Sequence, residues 1–446
     1  MDISSYSLAQ PLTSLAVTLS PSVDSLLRQF WTIEEPSVPL IPTTEDELCN
    51  HWFTHTTTRD VSDRFCVALP FKDEISVGCN KNTADMNAPT LNHGLGESRN
   101  LALKRLYNLE QRLSKNADLY DAYRKFMNEY LSLGHMKLAT RPGKYFIPHH
   151  AVIKQDGDLS KIRVVFDGSA PLSSGLSLND VLCVGPKLQT DISNLLLMCR
   201  TRKFMFTADL VKMFRQIQIR EEDCVYQHIL WRQFPDYEVQ EFELLTITYG
   251  LTSSPYLSIR CLHELDMREG HKFPVAKGSL IHNTCVDDII IGRDTEEELL
   301  VAQDHIIRLL STAGCTLKKW CSNSEKLINR VPPDDRAQRP SFDPKDESTV
   351  KVLGLHWNTQ SDTFGYHTNI KETPLTKRGV LSTIAKLFDP IGALGPTILW
   401  AKGFIQVLWQ DQFDWDTSLS PHLRTQWEQF ATELPSLCNI SLNRHY

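Results

Sequence analysis

Apolar positions recur along this chain with two different spacings, and the change between them marks its organisation. Leu106, Leu109 and Leu113 fall at helical spacing, as do Tyr123, Met127 and Tyr130, so two amphipathic helices are predicted, each packing one face on a core. From Tyr145 the pattern is that of strands. Tyr145-Phe146-Ile147-Pro148 and Ala151-Val152-Ile153-Lys154 lead to a polar tip, Gln155-Asp156-Gly157-Asp158. Lys161-Ile162-Arg163-Val164-Val165-Phe166-Asp167 then returns, which predicts a β-hairpin. Phe204-Met205-Phe206-Thr207-Ala208-Asp209 reads as a buried strand ending in a carboxylate, continued to Ile217 as a turn or short helix. The small, flexible run from Thr248 to Pro255 feeds a helix from Tyr256 to about Leu265.

Two apolar runs, Leu280-Ile281 and Ile289-Ile290-Ile291, flank Asn283-Thr284-Cys285-Val286-Asp287-Asp288 and predict a tight hairpin with two carboxylates at its tip. Thr295 with three following glutamates is a helix start, and that helix runs through Leu310 until Gly314 stops it. Residues 331–349 are a polar linker rich in Pro and Asp; Val350 to Trp357 is a candidate strand pair. Thr376 caps a helix with Val380, Ile384 and Leu387 inward, stopped at Asp389-Pro390, and a Trp-rich helical segment follows. Residues 1–95 carry few periodic signals; their expected ordered islands are Phe30 to Glu35 and Cys66 to Pro70. No internal repeat is present.

A length of 446 residues accommodates two or three domains, and 41% apolar with 23% charged residues is the composition of an ordinary globular protein. No unbroken apolar window long enough to span a bilayer exists, and Met1 to Ser5 lacks the basic and apolar regions of a secretory signal. Eleven cysteines without a C-x-x-C pair argue against a zinc knuckle or a disulfide framework, so a reduced, intracellular chain is expected. The net charge of −7 does not suggest a nucleic-acid partner. Residues 101–220, however, carry about nine more Lys and Arg than Asp and Glu, and a local basic face is what such a partner requires.

Adjacent carboxylates at Asp287 and Asp288 repel unless a cation lies between them, although an Asp pair alone reads more readily as a solvated turn. Asp209, an acidic strand end, reads alone as a helix cap. Together the three fit a two-metal phosphoryl-transfer centre built for oxygen-loving Mg²⁺, since no His adjoins them. Lys154, Lys161 and Arg163 place cations on the finger-like hairpin, where they could hold a polyphosphate or simply keep an edge strand soluble. Gly250 permits close backbone approach, or serves a turn. No Asp-Thr-Gly or Asp-Ser-Gly occurs, which excludes an aspartic-protease site.

The series Phe206-Thr207-Ala208-Asp209, Met213-Phe214-Arg215-Gln216-Ile217, Tyr249-Gly250 with Ser254-Pro255, and Val286-Asp287-Asp288 resembles a reverse transcriptase in order and spacing. Pro148-His149-His150-Ala151-Val152, Arg163 to Asp167, Gly175-Leu176-Ser177-Leu178-Asn179-Asp180 and Phe388-Asp389-Pro390-Ile391-Gly392 look like the BEL/Pao group of long-terminal-repeat retrotransposons in particular. The resemblance runs from about Leu26 almost to the C-terminus. It implies a right-hand polymerase of the α/β (α+β) class, with fingers, palm and thumb, the palm an antiparallel sheet backed by helices. The divisions expected are 1–95, an N-terminal extension; 96–135, a helical entry to the fingers; 136–330, fingers and palm; and 331–446, thumb and start of a connection.

The activity implied is extension of a primer 3′-hydroxyl with dNTPs on an RNA or DNA template. Asp209 and Asp287 would bind two Mg²⁺ ions, for which Mn²⁺ substitutes, with Asp288 in support. Phe214 matches the aromatic gate that excludes a ribose 2′-hydroxyl, Arg163 with Lys154 or Lys161 would hold the triphosphate, and Tyr249 and Gly250 would line the nucleotide site. Lys318 or Lys319 lies where a proton donor to pyrophosphate is expected. Cys285 and Val286, with Leu353-Gly354-Leu355-His356-Trp357 as primer grip, would meet primer and template. Protease, RNase H and integrase would lie outside this chain, and the site of action would be a cytoplasmic particle or the nucleus. Cys285 stands where the family usually has Tyr or Phe; Tyr249 replaces the retroviral Gln but is usual in the BEL/Pao group. The first departure motivates an alternative, an inactive transposon-derived nucleic-acid-binding module. A metal-dependent nuclease would explain the carboxylates but neither Phe214 nor the finger.

Overall fold

The computed structural model describes residues 42–78, 93–153, 162–337, 349–367 and 374–446. At its centre stands a four-stranded antiparallel sheet, and the other elements pack on that sheet or extend from it. Strands β1 (Thr58–Arg59) and β2 (Phe65–Val67) form a hairpin ahead of the helices Arg99–Leu113 and Ala117–Ser132. These helices carry the expected stripes inward: Leu106, Leu109, Leu113, Tyr123, Met127 and Tyr130 are all buried. The next three strands are β3 (Met136–Leu138), β4 (His149–Ile153) and β5 (Ile162–Phe166). β4 and β5 pair antiparallel from His149 opposite Phe166 to Ile153 opposite Ile162, so the finger hairpin forms. Its tip, with Lys154 and Lys161, lies outside the described residues.

Strand β6 (Phe204–Leu210) is followed by β7 (Gln218–Ile219), β8 (His228–Trp231) and β9 (Gln240–Leu244). β7 pairs parallel with β2, and β9 lies antiparallel between β3 and β8. The central sheet has the order β10 (Thr284–Cys285), β11 (Asp288–Arg293), β6, β12 (Leu317–Ser322). Side-chain alternation divides it cleanly. Phe206, Ala208, Leu210, Ile289 and Ile291 enter one large core with the helices Ser254–Glu269 and Glu296–Ser311. Met205, Ile290 and Cys321 enter a second core on the opposite side, with the helix Ile192–Arg200. Each buried isoleucine contributes about 1.5–3 kcal/mol relative to an exposed one. A register slip by one residue would therefore move these contributions to the wrong face.

The second core also receives β13 (Thr349–Val352), β14 (Leu355–Asn358), β15 (Thr363–Gly365) and β16 (Ser441–Asn443), an antiparallel sheet in that order. The strand pair read between Val350 and Trp357 is β13 and β14, turning at Leu353 (φ 46°) and Gly354 (φ 91°). Helix Lys377–Ile384 starts where expected, with Thr376 Oγ1 accepting from Gly379 N at 3.2 Å, and it packs with Gly395–Gln410 and Pro421–Glu433 in a third core.

Two expectations need correction. Leu280-Ile281 is not strand but part of the helical turn Ser279–His282, because the buried Asp266 carboxylate accepts from Gly278 N (2.8 Å) and Leu280 N (2.9 Å) and winds the backbone. The N-terminal region is more regular than its weak periodicity suggests: helix Thr44–Thr56, with a reciprocal Thr43–Asp46 capping box, buries Cys49 and Phe53. Phe30 to Glu35 lies outside the described residues.

Candidate functional site

Asp209 and Asp288 are directly opposed across β6 and β11, so their side chains leave the same face of the sheet. That face is the one Met205 and Ile290 bury further along, and it opens at Thr207 and Asp209, both only half-buried. Asp287 stands in the two-residue turn between Cys285 and Asp288, whose first residue, Val286, has φ 55°. A β-branched residue in the left-handed region is strained. The turn is held to the central strand by Leu210 N donating to Asp287 O at 2.7 Å. Burial, and then the charge of Asp209, raises the Asp287 pKa. Burial, and then Asp287 and Asp209, pushes Asp288 up to about 6. The site thus concentrates more negative charge than it compensates.

Among the described residues, one lysine enters the group. Lys319 Nζ pairs with Asp209 Oδ2. Burial opposes its charge, but the Asp209 hydrogen bond and the three carboxylates outweigh that and hold its pKa up. Lys319 sits at φ 54° where β12 loses register between Lys318 and Cys321. Lys318, in contrast, pairs with Asp335 at 2.8 Å. The irregularity in β12 therefore separates two lysines that sequence left equivalent. Arg163 is exposed on β5 of the finger hairpin, and its charge acts on both Asp287 and Tyr249, lowering the pKa of each against the dominant effect of burial.

Among the described residues no three His, Cys, Asp or Glu side chains converge as a ready-made metal cage. The three carboxylates are an open, all-oxygen set. That suits Mg²⁺, which keeps several waters and takes phosphate oxygens from its substrate rather than filling its shell from protein.

Phe214 is half-buried in the 3₁₀ turn Met213–Gln216, which follows Lys212 at φ 52°. Tyr249 packs on Phe166 at 5.4 Å between ring centroids. Gly250 has φ 102°, and a Cβ there would lie 2.0 Å from Phe166 O, so glycine is required twice over. Asn179 locks this loop: its Nδ2 donates to Gly250 O (3.0 Å) and Ser169 Oγ (2.8 Å), and its Oδ1 accepts from Thr252 N (2.9 Å). Sequence reasoning gave Asn179 no role. The available signal was the Ser177–Asp180 capping box that fixes its short helix, Leu178–Val181.

Cys285 is buried, and Gln189 Nε2 donates to its sulfur at 3.1 Å; burial, then Asp288 and Asp287, raises the thiol pKa. Among the residues proposed as primer grip, Leu355 and Trp357 are fully buried in the second core. Their side chains cannot meet a primer, a correction to the sequence reading. Both instead support the β13–β14 turn, where Gly354 and the half-buried His356 remain accessible.

No curated protein matches the chain. A foamy viral protease–reverse transcriptase, solved in complex with double-stranded DNA, is similar over 92% of this chain and 64% of that one, with 14% identity and a TM-score of 0.48. The chain thus spans a little under two thirds of that protein's length. Residues 177–356 match the reverse transcriptase (RNA-dependent DNA polymerase) family, which takes in Asp209, Phe214, Tyr249, Asp287 and Asp288. Residues 376–446, where a thumb and connection were expected and RNase H was not, match the Pao retrotransposon-like RNaseH-like domain family. Both matches lie on one chain and in this order, the first around the strand pairing that opposes Asp209 to Asp288, so the chain is similar to reverse transcriptases over residues 177–356 and to Pao retrotransposon proteins over residues 376–446.

Proposed function

We propose that this chain extends a primer 3′-hydroxyl with dNTPs on an RNA or DNA template, using two Mg²⁺ ions held by Asp209, Asp287 and Asp288. The observation that carries this reading is the opposed register of Asp209 and Asp288, with Asp287 tied beside them through Leu210 N. When bound, the two ions lower the pKa of the attacking hydroxyl and stabilise the leaving phosphate oxygens. Asp209 would hold the ions from the central strand and Asp287 from the turn. Arg163 orients the triphosphate from the fingers, with Lys154 or Lys161 in support. Lys319 leaves Asp209 and donates a proton to the departing pyrophosphate. Phe214 packs under the sugar, beside Tyr249 and Gly250. Gly354 and His356 steady the primer, with Val286 against its end.

The reading includes an intracellular setting, which the ten free cysteines among the described residues support, and partners encoded in the same polyprotein. No helix of the described residues is long and apolar enough to cross a membrane.

The test is dNTP incorporation on poly(rA)–oligo(dT) with Mg²⁺ and then Mn²⁺. Wild-type chain is expected to incorporate; Asp287→Asn and Asp288→Asn should fall to background. Incorporation that survives both substitutions would remove the site assignment. A second reading, a nucleic-acid-binding module without catalysis, is favoured by the Lys319 pairing of Asp209 and by Cys285. It expects tight, salt-sensitive, Mg²⁺-indifferent template binding and no incorporation.

A further inference from the structure

The finger helix Ala117–Ser132 reaches the turn that carries Phe214 through the carboxylate of Glu129. Glu129 Oε1 accepts from Lys212 Nζ and from Arg215 Nη1, the latter at 3.4 Å. These two residues bracket Met213 and Phe214. Lys212 enters the 3₁₀ turn in a left-handed conformation, φ 52°, and Arg215 N closes it by donating to Lys212 O at 2.8 Å. The Arg215 guanidinium also lies over the Tyr130 ring, 4.9 Å from its centroid, and Tyr130 adjoins Glu129 in sequence. One helix therefore grips both ends of the turn.

We propose that Glu129 is a positioning residue that sets the height of Phe214 against the incoming sugar, and so tunes discrimination between deoxyribo- and ribonucleotides. The inference rests on the polymerase reading above and on Phe214 as the gate. Its physical basis is the left-handed Lys212. A non-glycine residue there persists only where its surroundings over-determine it, and the Glu129 pairing supplies that constraint from outside the turn. Without the pairing, Lys212 is free to relax, and the ring two residues along the turn moves with it. A displacement well under an ångström suffices, because the gate works by contact with one hydroxyl group.

The experiment compares single-nucleotide incorporation of dTTP and UTP on poly(rA)–oligo(dT) by wild type, Glu129→Gln, Lys212→Met, the double variant and Phe214→Ala, with unfolding midpoints for each. Glu129→Gln is expected to lower the dTTP/UTP ratio of kcat/KM by about tenfold, the loss of a charge-assisted hydrogen bond. Lys212→Met should act likewise, and the double variant should fall no further, because both remove the same constraint. Glu129→Asp, which keeps the charge, should recover part of the ratio. An unchanged ratio in Glu129→Gln, with Phe214→Ala strongly relaxed, overturns the positioning role and leaves the gate standing. A Phe214→Ala variant that still excludes UTP removes the gate itself, and a wild type without incorporation removes the polymerase reading; the inference falls with either. Equal losses with dTTP and UTP and a lowered midpoint would mark Glu129 as structural only and also overturn it.

Discussion

Gly250 shows how narrowly single residues define this site. Its φ of 102° and the 2.0 Å approach of Phe166 O to any Cβ leave no room for alanine, and Tyr249 beside it depends on the same backbone. Gly175 is the control: φ is 80°, yet nothing lies within 4 Å of its Cβ position. Gly175→Ala is expected to cost only the backbone strain, about 1 kcal/mol. Gly250→Ala adds a clash with main chain that cannot rotate away, and should cost about 3 kcal/mol or more together with most of the incorporation. Urea midpoints of the two variants check this; equal costs would show that the Phe166 contact is soft. Nearby, Val286 and Lys319 also take positive φ on either side of the carboxylates, so the strained backbone of the sheet is concentrated where its charges are.

At the scale of elements, His149 joins three of them. On β4, its Nδ1 accepts from the Tyr123 hydroxyl of the finger helix and its Nε2 donates to Leu230 O on β8 at 2.9 Å. Burial, with the Leu230 bond opposing, pushes its pKa down to about 4. A depressed histidine contributes stability that is complete above its unfolded pKa near 6.5 and is lost as pH falls towards 4. Glu74, raised to about 7 chiefly by burial, works in the opposite sense, gaining as pH falls. The difference between wild type and His149→Gln isolates the histidine. That difference should shrink by about 2 kcal/mol between pH 7.5 and pH 5, read from denaturant midpoints. A pH-independent difference would mean that folding leaves the proton affinity of His149 unchanged.

Elements with strong local patterns were legible in sequence: the stripes at Leu106 and Tyr123, the strand into Asp209, and the Thr376 cap. What was not legible depended on distant partners. Leu280-Ile281 looks like a strand until Asp266 supplies its carboxylate, and Lys318 and Lys319 are equivalent until β12 slips against β6. Trp357 reads as exposed chemistry because alternation alone cannot say which face of β14 is covered: Leu355 and Trp357 enter the second core, and His356 lies on the other side. The pairing of β2 with β7 and of β15 with β16 joins residues so far apart that no local pattern encodes it.

Across the whole molecule, the C-terminal part is fastened to the palm by Arg444, fully buried just after β16. Its guanidinium donates to Asp362 Oδ1 and Oδ2, each at 2.6 Å, and to the carbonyls of Cys199, Arg202 and Lys203 where the helix Ile192–Arg200 ends and β6 begins. Asp362 in turn accepts from Trp357 Nε1 at 3.0 Å and Asn323 Nδ2 at 3.2 Å, so strand β14, the end of β12 and the C-terminus meet at one carboxylate. A planar cation with several fixed donors suits such a junction; lysine could satisfy only part of it. Truncating one partner of a buried ion pair costs about 3–5 kcal/mol, because the remaining charge and carbonyls lose their partners. Arg444→Gln is therefore expected to loosen the β13–β16 sheet and the helices after Thr376 while β6, β11 and their backing helices stay folded. Limited proteolysis should then cut within residues 374–446 first, and extension products should shorten, since a primer held at Gly354 and His356 would no longer move with the palm carboxylates. Single-step unfolding at the wild-type midpoint would show instead that the apolar surface of the second core is sufficient to hold the two parts together.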